Sequence, residues 1–181
     1  QRQMCIRDRP SCVVSAVGDD PLGNEIIENF TSKGLTHQIE RVPYPTGTVQ
    51  VEVDQAGIPR YEIKENVAWD NIPYTDTLEQ LAKRTTAVCF GSLAQRNVVS
   101  RNTINRFLDA IPAENKPLIV FDVNLRQGFY NKETLCDSMK RCNVLKINDE
   151  ELVMVSRMFG YPGIDLQDKC WILLGLSLIH I

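Results

Sequence analysis

Short apolar runs alternate with amphipathic stretches through most of this sequence, and that alternation leaves few folds open. The segments "CVVSAV" (12–17), "TAVCFGS" (86–92), "PLIVFDV" (117–123), "NVLKI" (143–147) and "KCWILL" (169–174) read as buried strands. Interleaved with them, 21–34, 75–84, 100–111, 132–142 and 149–160 read as helices. The first helix has Asp20 as N-cap, Pro21 at its first position and Gly34 as its stop, with Leu22, Ile26, Ile27 and Phe30 on one face. Ser100 is expected to cap the third, and Gly160 to end the last. Strands separated by single helices imply a parallel sheet with helices on both faces.

One segment breaks the alternation. "TGTVQVEVDQAGIPRYEI" (46–63) has period two, setting Val49, Val51 and Val53 against Thr48, Gln50 and Glu52, with Gly57 in the turn. It reads as a hairpin with one wet face. The expected fold is therefore one α/β domain over 12–174, built around a mostly parallel sheet, with a small β-hairpin flap within about 37–70. The flanks 1–11 ("QRQMCIRDR" and after) and 175–181 have no clear period and are expected to be non-native; the alternative is a natural arm and a final buried strand.

Composition narrows the partners. The 181 residues carry a formal net charge of -3 with no basic block, so nucleic acid is not expected. No run reaches the roughly 18 apolar residues of a membrane span. The six cysteines, Cys5, Cys12, Cys89, Cys136, Cys142 and Cys170, show no Cys-x-x-Cys spacing, and His37 and His180 are the only histidines. A reducing cytoplasm is the expected setting.

In parallel sheets ligands bind at the carboxyl ends of strands. Four polar motifs fall there: "GDDPLG" (18–23), "FGSLAQR" (90–96), "DVNLR" (122–126) and "NDEE" (148–151). Asp19 has no structural duty visible in the sequence and could reach a ligand hydroxyl. In an extended chain Asp122, Asn124 and Arg126 share a side, and a guanidinium there suits a phosphate or carboxylate. The alternative is an internal Asp122–Arg126 ion pair. Asn148 and Glu151 could hold Mg²⁺ through water, or could simply stabilise the first turn of a helix.

These residues bring a family into view. "SAVGDDPLGNEI", "PTGTVQVEVDQAGIPRYEI", "AWDNI", "FGSLAQR", "FDVNLRQGFY" and "LKINDEEL", in this order from about Cys12 to Leu174, resemble the ribokinase-like (PfkB) carbohydrate kinases, in their fructokinase-like branch. The resemblance implies a doubly wound domain with a β-sheet lid over the sugar, ATP and Mg²⁺ as cofactors, and no nucleic-acid or membrane partner. It implies substrate contacts at Thr48, Gln50 and Asn124, more loosely at Gln95 and Arg96, and charge neutralisation of the moving phosphoryl group by Arg126. Asn148 and Glu151 would organise phosphate and Mg²⁺, with Glu151 meeting the metal through water.

Two departures bear on activity. The family's amino-terminal strand with its sugar-binding Asp and Gly-Gly-x-x-x-Asn segment is absent, as is the Gly-Ala-Gly-Asp motif that supplies the anion hole and general base. The chain as given is therefore expected to be inactive, although its intact parent is expected to be a fructokinase. A 2-keto-3-deoxygluconate kinase is the alternative within the class, with Arg96 meeting the sugar-acid carboxylate. A non-catalytic remnant, or a module that dimerises through the hairpin, is the alternative outside it. No Gly-x-Gly-x-x-Gly supports a nicotinamide enzyme.

Overall fold

Helix caps and apolar runs place most elements where the sequence puts them. The computed structural model describes residues 11–53, 57, 59–163 and 165–176. The expected hairpin turn lies partly, and both flanking tails almost wholly, outside the described residues. The chain divides after Pro73 into two compact units, and its parallel strands fall into separate sheets, one per unit.

In the first unit, β1 (Val13–Gly18) leads through α1 (Pro21–Ser32) to β2 (His37–Val42), and the two strands pair in parallel from Val13–His37 to Gly18–Val42. Asp20 caps α1 as expected, accepting from the Gly23 N–H at 2.8 Å. Gly34, at φ +65°, turns the chain out of the helix, a conformation that costs glycine nothing. Strand β2 was not legible: "HQIERV" offers only Ile39 and Val42 as apolar residues. It joins β1, and the antiparallel ribbon that follows comprises β3 (Val49–Val53) and β4 (Pro59–Ile63). This antiparallel ribbon matches Val49 with Ile63 and Val51 with Tyr61 on one face, and Gln50 with Glu62 on the other. Its apolar face is uncovered in this chain: Val49 and Val51 are each 54% exposed and Tyr61 59%. After the ribbon, "AWDNI" packs a short 3₁₀ turn (Ala68–Asp70) under β1, burying Ala68 and Ile72 against Ala16.

The second unit holds β5 (Ala87–Gly91), β6 (Leu118–Asp122) and β7 (Val144–Lys146), parallel and in that order. Around them run α2 (Asp76–Lys83), α3 (Val98–Asp109), α4 (Lys132–Arg141), α5 (Asp149–Phe159) and α6 (Leu166–Leu176). Asn97, rather than the expected Ser100, caps α3; Ser100 lies buried within the helix. Phe90, Phe121 and Leu145 share one face of the sheet and form a core with Leu108, Leu135, Met139, Leu152 and Val155. On the opposite face Ala87, Cys89 and Leu118 are exposed. Strands added in one direction by right-handed crossovers put their helices on one side, which accounts for this asymmetry.

The largest departure is at residues 169–174, expected as a strand and found within α6. Asp165 accepts from the Asp168 N–H at 2.8 Å and opens the helix, and Leu173 then reaches the core. An uninterrupted apolar run has no period with which to separate the two states.

Burial pushes the Cys142 thiol up to about 11; partial burial raises Cys89 as well, but its side chain is exposed on the sheet face. Brief iodoacetamide treatment of the native chain at neutral pH is expected to label Cys89 and spare Cys142, read by peptide mass spectrometry. Equal labelling would mean that the core opens readily.

Candidate active site

Strand β6 ends at Asp122, and the five residues after Asp122 set most of what lies at this rim. The Val123 N–H still donates to Lys146 O at 3.0 Å, but Asn124 then takes φ +41° and Gln127 φ +48°. Left-handed non-glycine residues are uncommon and gather at functional sites. They also end the alternation, so the expected common side for Asp122, Asn124 and Arg126 does not hold past Val123.

The bent loop is fastened from within. Leu125 is buried as a peg, and its N–H donates to Glu151 Oε1 at 2.9 Å. Asn124 O accepts from the Ser92 hydroxyl at 3.4 Å. Arg126 is exposed and donates through Nη1 to Leu125 O at 2.9 Å. The internal Asp122–Arg126 pair does not form, because Lys146 Nζ takes the Asp122 carboxylate at 2.8 Å. That hydrogen bond holds the Lys146 ammonium above its ordinary range.

Asn148 and Glu151 form a reciprocal cap on α5. Asn148 Oδ1 accepts from the Glu151 N–H at 2.9 Å, and Glu151 Oε2 accepts from the Asn148 N–H at 3.2 Å. Glu151 is 6% exposed and both its oxygens are engaged. Each oxygen keeps a second lone pair, so Glu151 suits a hard cation through a water better than as a direct ligand. No cluster of three acidic, His or Cys side chains able to hold a metal occurs among the described residues.

The remaining candidates divide. Arg96 lays its guanidinium 4.5 Å from the Phe129 ring centroid, and the Phe129 N–H donates to Arg126 O at 3.1 Å, so two cations border one loop. Gln95 is 2% exposed, and its amide donates to Gly91 O and to the Ser138 hydroxyl, each at 2.9 Å. These bonds tie β5 to α4. Asp19 also has the structural duty that the sequence hid, an exposed ion pair with Arg41 at 3.2 Å. Thr48 and Gln50 are exposed on the ribbon of the first unit.

The sequence model of pfkB family carbohydrate kinases matches residues 9–166. The chain belongs to that family. PH1459 of Pyrococcus horikoshii, an uncharacterized sugar kinase, is 27% identical to this pfkB chain over 151 residues, which cover 79% of the chain and 48% of the relative. The structure of PH1459 with ATP superposes with a TM-score of 0.72 at 26% identity, covering 83% of this chain and 51% of that one. Fructokinase from Xylella fastidiosa gives a TM-score of 0.76 at 13% identity (93% and 53% covered), and ribokinase from Giardia lamblia 0.68 at 20% (92% and 50%). At those identities the likeness is one of fold. The chain spans about half the length of these pfkB relatives.

Three residues that brace this rim escaped sequence reading: Ser92 under Asn124, Lys146 on Asp122, and Phe129 as the platform for Arg96. Lys146 alone left a signal, as a cation at the carboxyl end of a predicted strand.

Proposed function

We propose that the whole protein is an ATP-dependent kinase acting on a small sugar, with fructose as the substrate. The observation that carries this reading is the state of Arg126: exposed, relieved of Asp122 by Lys146, and mounted on a loop fixed by Glu151. Its guanidinium spends one donor on Leu125 O and keeps others for an anion. A pfkB relative solved with ATP supports the nucleotide.

In this reading the sugar hydroxyl oxygen attacks the γ-phosphorus, the bond to ADP breaks, and the hydroxyl proton passes to a base. Arg126 stabilises the charge on the moving group, and Asn124 helps to orient the acceptor. Mg²⁺, approached through water by Glu151 and by the Asn148 turn, would neutralise phosphate charge. In this reading the β3–β4 ribbon is the lid, and Thr48 and Gln50, exposed on it, are its candidate sugar contacts. The sequence contains no Gly-Ala-Gly-Asp to supply the base, so the chain by itself should release ADP at background rates.

A second reading, 2-keto-3-deoxygluconate as substrate, is favoured by Arg96 beside Arg126 on the 126–130 loop. Coupled ADP release by the whole protein, compared on fructose and on the keto-acid, decides between them: kcat/KM higher by about tenfold or more on fructose is expected. Preference for the acid would transfer the assignment to Arg96. The exposed Val49, Val51 and Tyr61 face suits a homodimer through the ribbon, which sedimentation would reveal. The absence of paired cysteines among the described residues suits the cytoplasm.

A further inference from the structure

Asp20 does more than a helix cap requires. An N-cap needs one acceptor for one early N–H, and Ser or Asn would supply it. Asp20 Oδ1 accepts from both the Gly23 N–H at 2.8 Å and the Thr46 hydroxyl at 2.7 Å, and Oδ2 accepts from the Thr46 N–H at 2.8 Å. Thr46 Oγ1 in turn accepts from the Gly18 N–H at 2.9 Å. The β1–α1 turn is thus bound to the residue from which the ribbon springs, 26 positions further along the chain.

The surroundings leave no slack. A Cβ on Gly18 would lie 2.5 Å from Tyr44 O, and one on Gly23 would lie 2.3 Å from Gly18 O. A Cβ on Gly47 would lie 2.2 Å from Trp69 Nε1, so the indole rests on the first leg of the ribbon. The returning leg is held as well: the Ala68 N–H donates to Pro45 O at 2.8 Å, and Ala68 is fully buried. Beyond these anchors Val49, Val51 and Tyr61 are exposed. A rigid root under an exposed blade makes the root the element that sets the ribbon's direction.

We propose that Asp20 is a positioning residue for the sugar: acting through Thr46, it fixes the direction in which the ribbon leaves the body and hence where Thr48 and Gln50 fall. The inference rests on the ribbon being the lid of a sugar kinase. The same hydrogen bonds, from the Thr46 N–H first, then its hydroxyl and the Gly23 N–H, hold the Asp20 carboxyl below its ordinary range. The clamp is therefore intact throughout the neutral range and is lost only as pH falls through that lowered value.

The test compares Asp20→Ser, Thr46→Val and Thr46→Ser in the whole protein, with Thr75→Ala as a control that removes an unrelated cap on α2. Asp20→Ser keeps a helix-capping oxygen but cannot reach Thr46. Asp20→Ser and Thr46→Val should each raise the sugar KM by about tenfold, with the ATP KM within about twofold. Both should raise ATP hydrolysis without sugar relative to transfer, and speed deuterium exchange over 47–52 and 60–66. Thr46→Ser, which keeps the hydroxyl, should restore the wild-type values. If Asp20→Ser and Thr46→Val merely lower the melting temperature as Thr75→Ala does, the proposal is overturned. If the wild type phosphorylates no sugar, the kinase reading falls, and exchange alone still decides the clamp: unchanged exchange in both variants overturns it.

Discussion

Replacing Arg126 with Ala in the whole protein is expected to lower kcat by about 10²–10³, the range measured when one preorganised charge-stabilising donor is removed from a transition state. The sugar KM should stay within about threefold, because the lost interaction is made with the phosphoryl group as charge develops. Stability should hardly change. Arg126 is exposed, its one hydrogen bond returns to the neighbouring Leu125 carbonyl, and the loop is fastened by backbone groups that the substitution leaves in place. Arg126→Lys should recover only part of the rate, since an ammonium is a point charge without the planar fork. Asp122→Asn is the informative neighbour: it releases Lys146 at the same rim without touching Arg126, and only a small change in kcat is expected. Coupled ADP release measures all three variants. An unchanged kcat in Arg126→Ala would remove this residue from the mechanism.

The fold was legible at most helix ends, where local chemistry decides it, though the cap of α3 proved to be Asn97 and not Ser100. Asp20, Pro21 and Gly34 bound α1, and Asn148 with Gly160 bounds α5, because caps act within one turn of their own position. Strand β2 was lost because its pairing with β1, more than its own apolar content, makes it a strand. Residues 169–174 were misassigned because an unbroken apolar run carries no period, and packing of Leu173 chose the helix. At the site, the residue types were readable and their duties were not. Gln95 resembles a ligand-binding amide until Ser138, 43 positions away, claims it, and Asp19 looks idle until Arg41 arrives from β2. The turn at Asn124 was hidden for a different reason: alternation describes an extended chain, and one left-handed residue re-aims everything after it.

Glu151→Ala should damage both stability and rate, and the pattern of the damage separates two roles. The buried carboxylate holds the Leu125 N–H with one oxygen and the Asn148 N–H with the other, so its removal strands two donors at once. Hydrogen bonds to charged groups contribute about 1.5–3 kcal/mol each, and a loss of roughly 3–5 kcal/mol in denaturant unfolding is expected. Glu151→Gln should fall between wild type and Ala, because its amide oxygen can still serve Leu125 while its NH₂ confronts the Asn148 donor. If Glu151 works by fixing the loop that carries Arg126, the two side chains act as one unit. Glu151→Ala combined with Arg126→Ala should then lose little more kcat than Arg126→Ala alone. If Glu151 instead works mainly by holding water on Mg²⁺, the two losses should multiply, and Glu151→Ala should need more Mg²⁺ for half-maximal rate. The geometry favours the first outcome, since both oxygens are already engaged with the backbone; multiplying losses with a raised Mg²⁺ requirement would show that the bound waters matter more than the loop.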